Sequence, residues 1–550
     1  MTSIDSLAHD YWQARLDASP TERHLLGDYR DVGHFEDASR AAEDRLVATL
    51  RDFAARAEAV DPTGLDVQQG LTRRLIADAA RSLADLLDTP LADLVADPVH
   101  GPQVSWAIVL PMLTIPDAQA AAAMPAKLDG MGDHLHALAQ RAREGLARGW
   151  TPPRFAVEGT IDQIDALLAL PLEQDPLLRT AALPDGVDEE GFRARISCVL
   201  AERLRPGWAT LRDVLREEVL PASRPDELPG LVHLPGGEDA YARCLRFYTT
   251  TTLTAQQIHD LGLAQVAALA EEYRALGPEV VGSDDLERIF AAMREDPALH
   301  FTTGEELVER SRTALSRAES VAPEWFRRVN QAPCVVEGTL AGPKAFYYPP
   351  AADGSRGGTF FVNIADPTSW GRFELEAMAY HEGVPGHHLQ LALAAELPDT
   401  FPEFRRHDHH TAYAEGWGLY SERLSDEMGL YSEPIDRLGM LSADSMRACR
   451  LVVDTGLHAL GWTRQEAVDY MLANSPLTEG VVRPEIDRYI CTPGQATSYM
   501  VGRLEIQRIR REAQARLGDR FDVRDFHAAV LESGSLPLGI LDEHVRAALP

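Results

Sequence analysis

Cysteine is scarce and scattered. The five residues Cys198, Cys244, Cys334, Cys449 and Cys491 form an odd set with no C-x-x-C pair. That excludes a disulfide scaffold and a cysteine-held zinc, and leaves idle thiols of a reducing compartment as the reading. Long hydrophobic runs are missing too. The most apolar stretch, Val104 to Leu113, is half the length a bilayer requires and contains Pro111. Positive charge is short: 53 Lys and Arg, nearly all Arg, face 85 Asp and Glu, for a formal net charge of -32. Such a chain repels nucleic acid and anionic membrane surfaces, so neither is expected as a partner. The opening MTSIDSLAHDYW carries Asp5 and Asp10 and no apolar core, unlike a signal peptide. The expected compartment is the cytoplasm.

What is present is mostly helical periodicity. With 550 residues the chain suits two lobes or one large fold around a cleft. Glu43 to Val60 and Ala120 to Gly149 repeat apolar residues at three- and four-residue spacing. Thr254 to Leu276 opens on a capping box, Thr254 with Gln257, and is expected to stop before Gly277-Pro278. Breakers cluster at Pro221 to Gly237, which predicts an N-terminal helical lobe over 1–230 and a second lobe over 231–550, unless the fold is continuous. Three β-branched or aromatic segments interrupt the helices: Cys334 to Leu340, Lys344 to Pro349 and Gly358 to Ile364. They predict a small antiparallel sheet. An edge of it can hold an extended substrate, with Gly358 and Asn363 as candidate contacts, or it can be a packing hairpin. The expected fold is therefore mainly α-helical, with one small sheet beside the helix discussed next.

That helix carries YHEGVPGHHLQ, Tyr380 to Gln390. It begins like the zinc motif H-E-x-x-H, in which histidines at i and i+4 share one helix face. Here the next histidines stand at i+6 and i+7. Residue i+6 of a regular helix points away, and i+7 lies about 10 Å along the axis. Pro385 cannot donate to the His381 carbonyl and crowds it, while Gly383 and Gly386 permit other backbone angles. A bulge that loops out two residues is expected, bringing His387 to the place of an i+4 ligand beside His381. His388 is then a substrate contact, a support for the ligands, or a packed residue. Thr368 or Ser369 is the expected helix cap.

A catalytic zinc needs a third protein ligand and an open position. Glu415, in TAYAEGWGLYSE (Thr411 to Glu422), is the leading candidate, an acid on a largely apolar helix that needs a partner such as a metal or a base. Glu422 lies on the same face and can orient a histidine, although a surface salt bridge is the preferred reading for it. The run His407 to His410 is a rival ligand set, read as an exposed turn. Glu382 directly follows a ligand and is placed to take a proton from the attacking water and return it to a leaving amine. Further on, Thr492-Pro493-Gly494-Gln495 reads as a helix start. Tyr499 and Arg503 would share one face of that helix, the first as an oxyanion donor and the second as a carboxylate clamp. Both also read as core and surface residues.

Together HEGVPGHHLQ, AYAEGWGLYSE and TPGQATSYMVGRLEIQRIR resemble a bacterial family known as domain of unknown function 885. Supporting stretches are Tyr347 to Asn363, Leu451 to Trp462, Asp525 to Leu538 and Gly236 to Leu263. That family is similar to helical zinc peptidases of the gluzincin type. The resemblance implies a helical fold with a central cleft and a motif H-E-x-x-P-G-H followed by E-G-W. Its positions are His381, Glu382, Pro385, Gly386, His387, Glu415, Gly416 and Trp417. It also implies a tyrosine and a histidine near the oxyanion, for which Tyr499 and His458 are the candidates. The expectation is a zinc-dependent peptidase acting on short peptides, with manganese or cobalt able to occupy the same ligands. The alternatives are an amidase acting on a non-peptide small molecule and a metal-binding protein without catalysis.

Overall fold

Helix signals in the sequence become helices with recognisable ends. The segment expected over 120–149 is the helix Ala118–Arg148, opened by the Asp117 carboxylate and closed by Gly149 in the left-handed region, φ 74°. The segment expected over 43–60 is the helix Arg40–Ala59, capped by Ser39. This computed structural model describes residues 3–340, 342–350 and 357–550. Part of the family-like stretch Tyr347 to Asn363, residues 351–356, lies outside them. The chain divides into two units: Met1–Asp61, Ile76–Arg243 and Gly461–Gln465 form the first, and Pro62–Leu75, Cys244–Leu460 and Glu466–Pro550 the second. The first unit has a helical core. Met124, Leu128, Met131 and Leu135 of the long helix share it with Trp208 and Leu211. Each such side chain contributes roughly 1.5–3 kcal/mol on burial.

The second unit holds the helices that carry or adjoin the expected site residues. We label them α1 (Ala255–Val280), α2 (Glu374–Glu382), α3 (His387–Ala395), α4 (Thr411–Glu427), α5 (Pro434–Ala459) and α6 (Ser498–Leu517). The capping box at Thr254 and Gln257 is formed in both directions. Yet α1 runs past Gly277-Pro278 to Val280, contrary to expectation. Pro278 forfeits only one hydrogen bond in the last turn, and the Val281 N–H closes the helix on the Gly277 carbonyl, 2.8 Å. The start expected for α2 at Thr368 or Ser369 is a 3-10 turn, Pro367–Ser369, capped by Asp366. Similarly, α6 does not start at Thr492. Gly494 is left-handed, φ 83°, and its N–H donates to the buried Asp454 carboxylate, 3.0 Å, so a 3-10 turn precedes the helix. Helices α4 and α6 cross glycine on glycine. A Cβ on Gly416 would stand 2.5 Å from the Gly502 Cα, so no larger residue fits.

The sheet has the expected strands but a different order. β1 (Cys334–Thr339), β2 (Ala345–Tyr348) and β3 (Gly358–Asn363) are arranged β1-β3-β2. β1 runs parallel to β3 from Cys334↔Gly358 to Thr339↔Asn363, and β2 runs antiparallel to β3. The sheet is thus mixed, not antiparallel throughout. β3 takes the centre because it is the most apolar strand, with Phe360 and Val362 fully buried. The shorter β2 is left as an edge.

Candidate metal centre

The expected bulge is a complete break. α2 ends at Glu382, and the chain turns through Gly383, a cis Val384–Pro385 bond and Gly386 before α3 begins at His387. Gly383 and Gly386 have ψ of -127° and -130°, which no helix accommodates. A Cβ on Gly386 would meet the His381 carbonyl at 1.9 Å, so only glycine lets the chain fold back this tightly. The turn is held from α4. Trp417 Nε1 donates to the Pro385 carbonyl at 2.9 Å, and Ser421 Oγ donates to the same oxygen at 3.3 Å.

This arrangement brings His381, His387 and Glu415 together, with one ligand atom from each within 4.8 Å of the others. Among the described residues no second such group occurs. Nε2 of His381 and Nε2 of His387 lie 3.6 and 3.5 Å from the same Glu415 oxygen, Oε2. The two imidazoles stand edge to face, 4.7 Å between centroids and 85° between planes. Ligand atoms about 2.1 Å from a tetrahedral ion lie about 3.4 Å apart, so the carboxylate-to-histidine spacings fit a zinc. The other ring nitrogen of His381, Nδ1, is 2.7 Å from Glu422 Oε1, which makes Nε2 the ligand nitrogen. Glu422 is not the surface residue expected of it. It is 1% exposed, with Arg447 3.7 Å away. Gly418 completes the frame, since a Cβ there would stand 2.7 Å from the His381 ring.

Electrostatics at the cluster follow from these contacts. Burial alone would lower the His381 pKa, but the carboxylates of Glu415 and Glu422 push it up to about 9. Glu415 is affected in the opposite sense. Burial would raise it, and the two histidines hold it well below the carboxylate range.

The centre forms one wall of a cavity of about 540 Å³ inside the second unit. That volume suits a small ligand or short peptide segment. Glu382 and Tyr499 line it, as do Lys344 to Tyr347 at the β2 edge. The Tyr499 hydroxyl has no hydrogen-bond partner among the described residues. Its pKa is raised by burial and by the charge of Glu415. His409, from the run read as a turn, is exposed and also lines the cavity.

Other expected site residues lie elsewhere. Arg503 is buried and bound by both Asp444 oxygens at 2.7 Å, and it does not reach the cavity. His458 is fully buried, with Nε2 3.1 Å from the Tyr489 carbonyl. His388 is fully buried behind the centre. Its Nδ1 meets the Tyr347 hydroxyl at 2.7 Å and its Nε2 the Asn330 amide at 2.7 Å. Burial lowers its pKa to about 4, so it packs as a neutral ring. Gly358 lies against this pair, since a Cβ there would meet the Tyr347 hydroxyl at 2.3 Å. Asn363 bonds to the Gly342 carbonyl and the Ala365 N–H. The arginines that do line the cavity are Arg447 and Arg450 of α5, which sequence reasoning missed. Their spacing on an amphipathic helix is the only sign they gave.

Fold and centre define a mainly α-helical protein with a partly buried histidine–carboxylate cluster in its second unit. The chain belongs to the family of bacterial proteins of unknown function called DUF885, whose profile matches residues 20–545. It is similar over its whole length to a crystal structure described as a "putative lipoprotein" from Colwellia psychrerythraea, at 26% identity and a TM-score of 0.92, covering 100% of both chains. A second structure, a "putative lipoprotein of unknown function" from Shewanella oneidensis, shares the fold at 19% identity and a TM-score of 0.76, covering 99% of each chain. None of the curated proteins matches significantly. Among the described residues no helix is long and apolar enough to cross a membrane.

Proposed function

We propose that the protein is a zinc-dependent hydrolase, a metallopeptidase cleaving short peptides. The observation that carries this reading is the convergence of His381, His387 and Glu415 on one point at the wall of a cavity that Glu382 also lines. The two histidines and Glu415 would hold the ion, which when bound supplies Lewis acidity toward a water and a carbonyl. Manganese or cobalt would suit the same ligands. Glu422 fixes the tautomer and direction of His381. Glu382 takes a proton from the attacking water and delivers it to the leaving nitrogen. The Tyr499 O–H donates to the oxyanion as the carbonyl becomes tetrahedral. The half-buried edge strand β2, which lines the cavity, can hold an extended substrate by strand addition, a role the sequence reading gave to Gly358 and Asn363 of the strand now seen at the centre.

The test is hydrolysis of a mixed short-peptide library by zinc-supplemented protein, read by mass spectrometry, beside Glu382→Gln. Cleavage that falls at least about 100-fold in the variant, with zinc content unchanged, is the expected result. Equal activity of both proteins, or no cleavage by the wild type, would contradict it. Hydrolysis confined to non-peptide amides would move the reading to an amidase. The cytoplasm remains the proposed compartment, supported by five free cysteines. The lipoprotein description of the two structural relatives points the other way, and fractionation of cells expressing the native gene decides between them.

A further inference from the structure

Two arginines that line the cavity are incompletely satisfied. Arg447 and Arg450 stand three residues apart on α5, on one face, and are 7% and 5% exposed. Arg450 gives Nε to the Tyr489 hydroxyl, 2.8 Å, and Nη2 to Glu485, 2.9 Å, while its Nη1 has no partner. Arg447 reaches its own helix at the Ala443 carbonyl, 3.3 Å, and approaches Glu422 at 3.7 Å, while its Nε has no partner. Their nearest acids are already engaged. Glu422 holds His381, and Glu485 is shared among Arg450, Arg488 and Tyr489. Arg450 also lies 4.4 Å over the Tyr499 ring, and Arg447 6.0 Å from it. Buried guanidinium groups left in excess need an anion, and these two stand beside the proposed oxyanion donor.

We propose that Arg447 and Arg450 form an anion subsite for the terminal carboxylate of the substrate, so that the enzyme removes one or two residues from the free C-terminus of a short peptide. The proposal rests on the hydrolase reading above. Arg447 and Arg450 line the same cavity as His381, His387, Glu415 and Glu382. An extended chain advances about 3.3–3.6 Å per residue, so a cavity of about 540 Å³ has room for a terminal segment of one or two residues beside the scissile carbonyl. In the reaction the water oxygen bonds to that carbonyl carbon and the C–N bond breaks. A water proton passes through Glu382 to the amine, which leaves with the arginine-bound carboxylate. The role assigned to Arg503 from the sequence passes to this pair, because Arg503 is paired with Asp444 and does not line the cavity, whereas Arg447 and Arg450 do.

The decisive comparison uses the unaltered, zinc-loaded full chain with benzoyl-glycyl-phenylalanine and its C-terminal amide. Hydrolysis of the acid is expected to exceed that of the amide at least about tenfold in kcat/KM. Calorimetry with Glu382→Gln, which prevents turnover, reads binding alone and should show the same preference. In Arg447→Gln and Arg450→Gln the preference should fall toward parity, largely through KM, and Arg450→Lys should restore part of it. Acid and amide hydrolysed and bound within about twofold of each other would overturn the subsite. If neither peptide is cleaved but the acid binds preferentially, the hydrolase reading fails and the anion subsite stands.

Discussion

At the scale of single residues, the run Glu415-Gly416-Trp417-Gly418 shows how one turn of helix can serve four needs. Glu415 faces the histidines, Gly416 lets α6 approach, Trp417 holds the Pro385 carbonyl, and Gly418 makes room for the His381 ring. Glu422, two turns on, sets the direction of His381. Replacing it by Gln keeps the shape and removes the charge. Zinc affinity in Glu422→Gln is expected to fall about 10–100-fold, measured by competition with a chromophoric chelator, while circular dichroism is unchanged. Unchanged affinity would show that Glu422 is a packing residue only. That Glu415 meets His381 and His387 was legible in the sequence, because an acid among apolar helical neighbours requires a partner. The role of Glu422 was not legible, because a glutamate seven residues further along reads equally as a surface residue until the helix it faces is known.

At the scale of elements, the break between α2 and α3 was legible as a disturbance but not in kind. Pro385 and two glycines announce that the helix cannot continue, but that it restarts at His387, with the turn held by Trp417 and Ser421 of α4, depends on contacts remote in sequence. The sheet gives the same lesson. Strand propensity located β1, β2 and β3, but pairing depends on which strand is buried, so the order β1-β3-β2 could not be read. The elements behind the turn make a prediction of their own. His527 is fully buried, stacked on Phe326 at 4.7 Å, with Nδ1 donating to the Trp325 carbonyl and Nε2 accepting from Tyr420. Burial lowers its pKa to about 3. The unfolded chain binds this proton near pH 6.5 and the folded one does not. The resulting stability is complete above that pH and is lost as pH falls toward 3. Between pH 7.5 and 5 the wild type should lose about 2 kcal/mol more than His527→Gln, read from urea midpoints. Equal losses would mean that the ring is protonated in the fold.

At the scale of the molecule, the net charge of -32 imposes self-repulsion that the arginine-rich ion pairs offset only locally. Raising ionic strength from about 0.01 to 0.15 M shortens the Debye length from about 30 to 8 Å. Melting temperature is therefore expected to rise with salt in scanning calorimetry, and a fall would mean that the surface pairs outweigh the repulsion. Against this acidic background the concentration of buried positive charge at Arg447 and Arg450 is local and specific. It escaped sequence reading because arginines on an amphipathic helix look like its solvent face. The helical class of the whole was legible from periodicity alone. The way short segments such as 62–75 and 461–465 join units remote in sequence was not, since nothing local encodes it.

The proposed chemistry requires His381, His387 and Glu415 to hold a single zinc ion. The most direct test is zinc content by plasma mass spectrometry after zinc supplementation and desalting, for the wild type, His387→Ala and His388→Gln. The account predicts one zinc per chain in the wild type and in His388→Gln, and none in His387→Ala. A wild type without zinc, or a His387→Ala variant that retains it, would contradict the account.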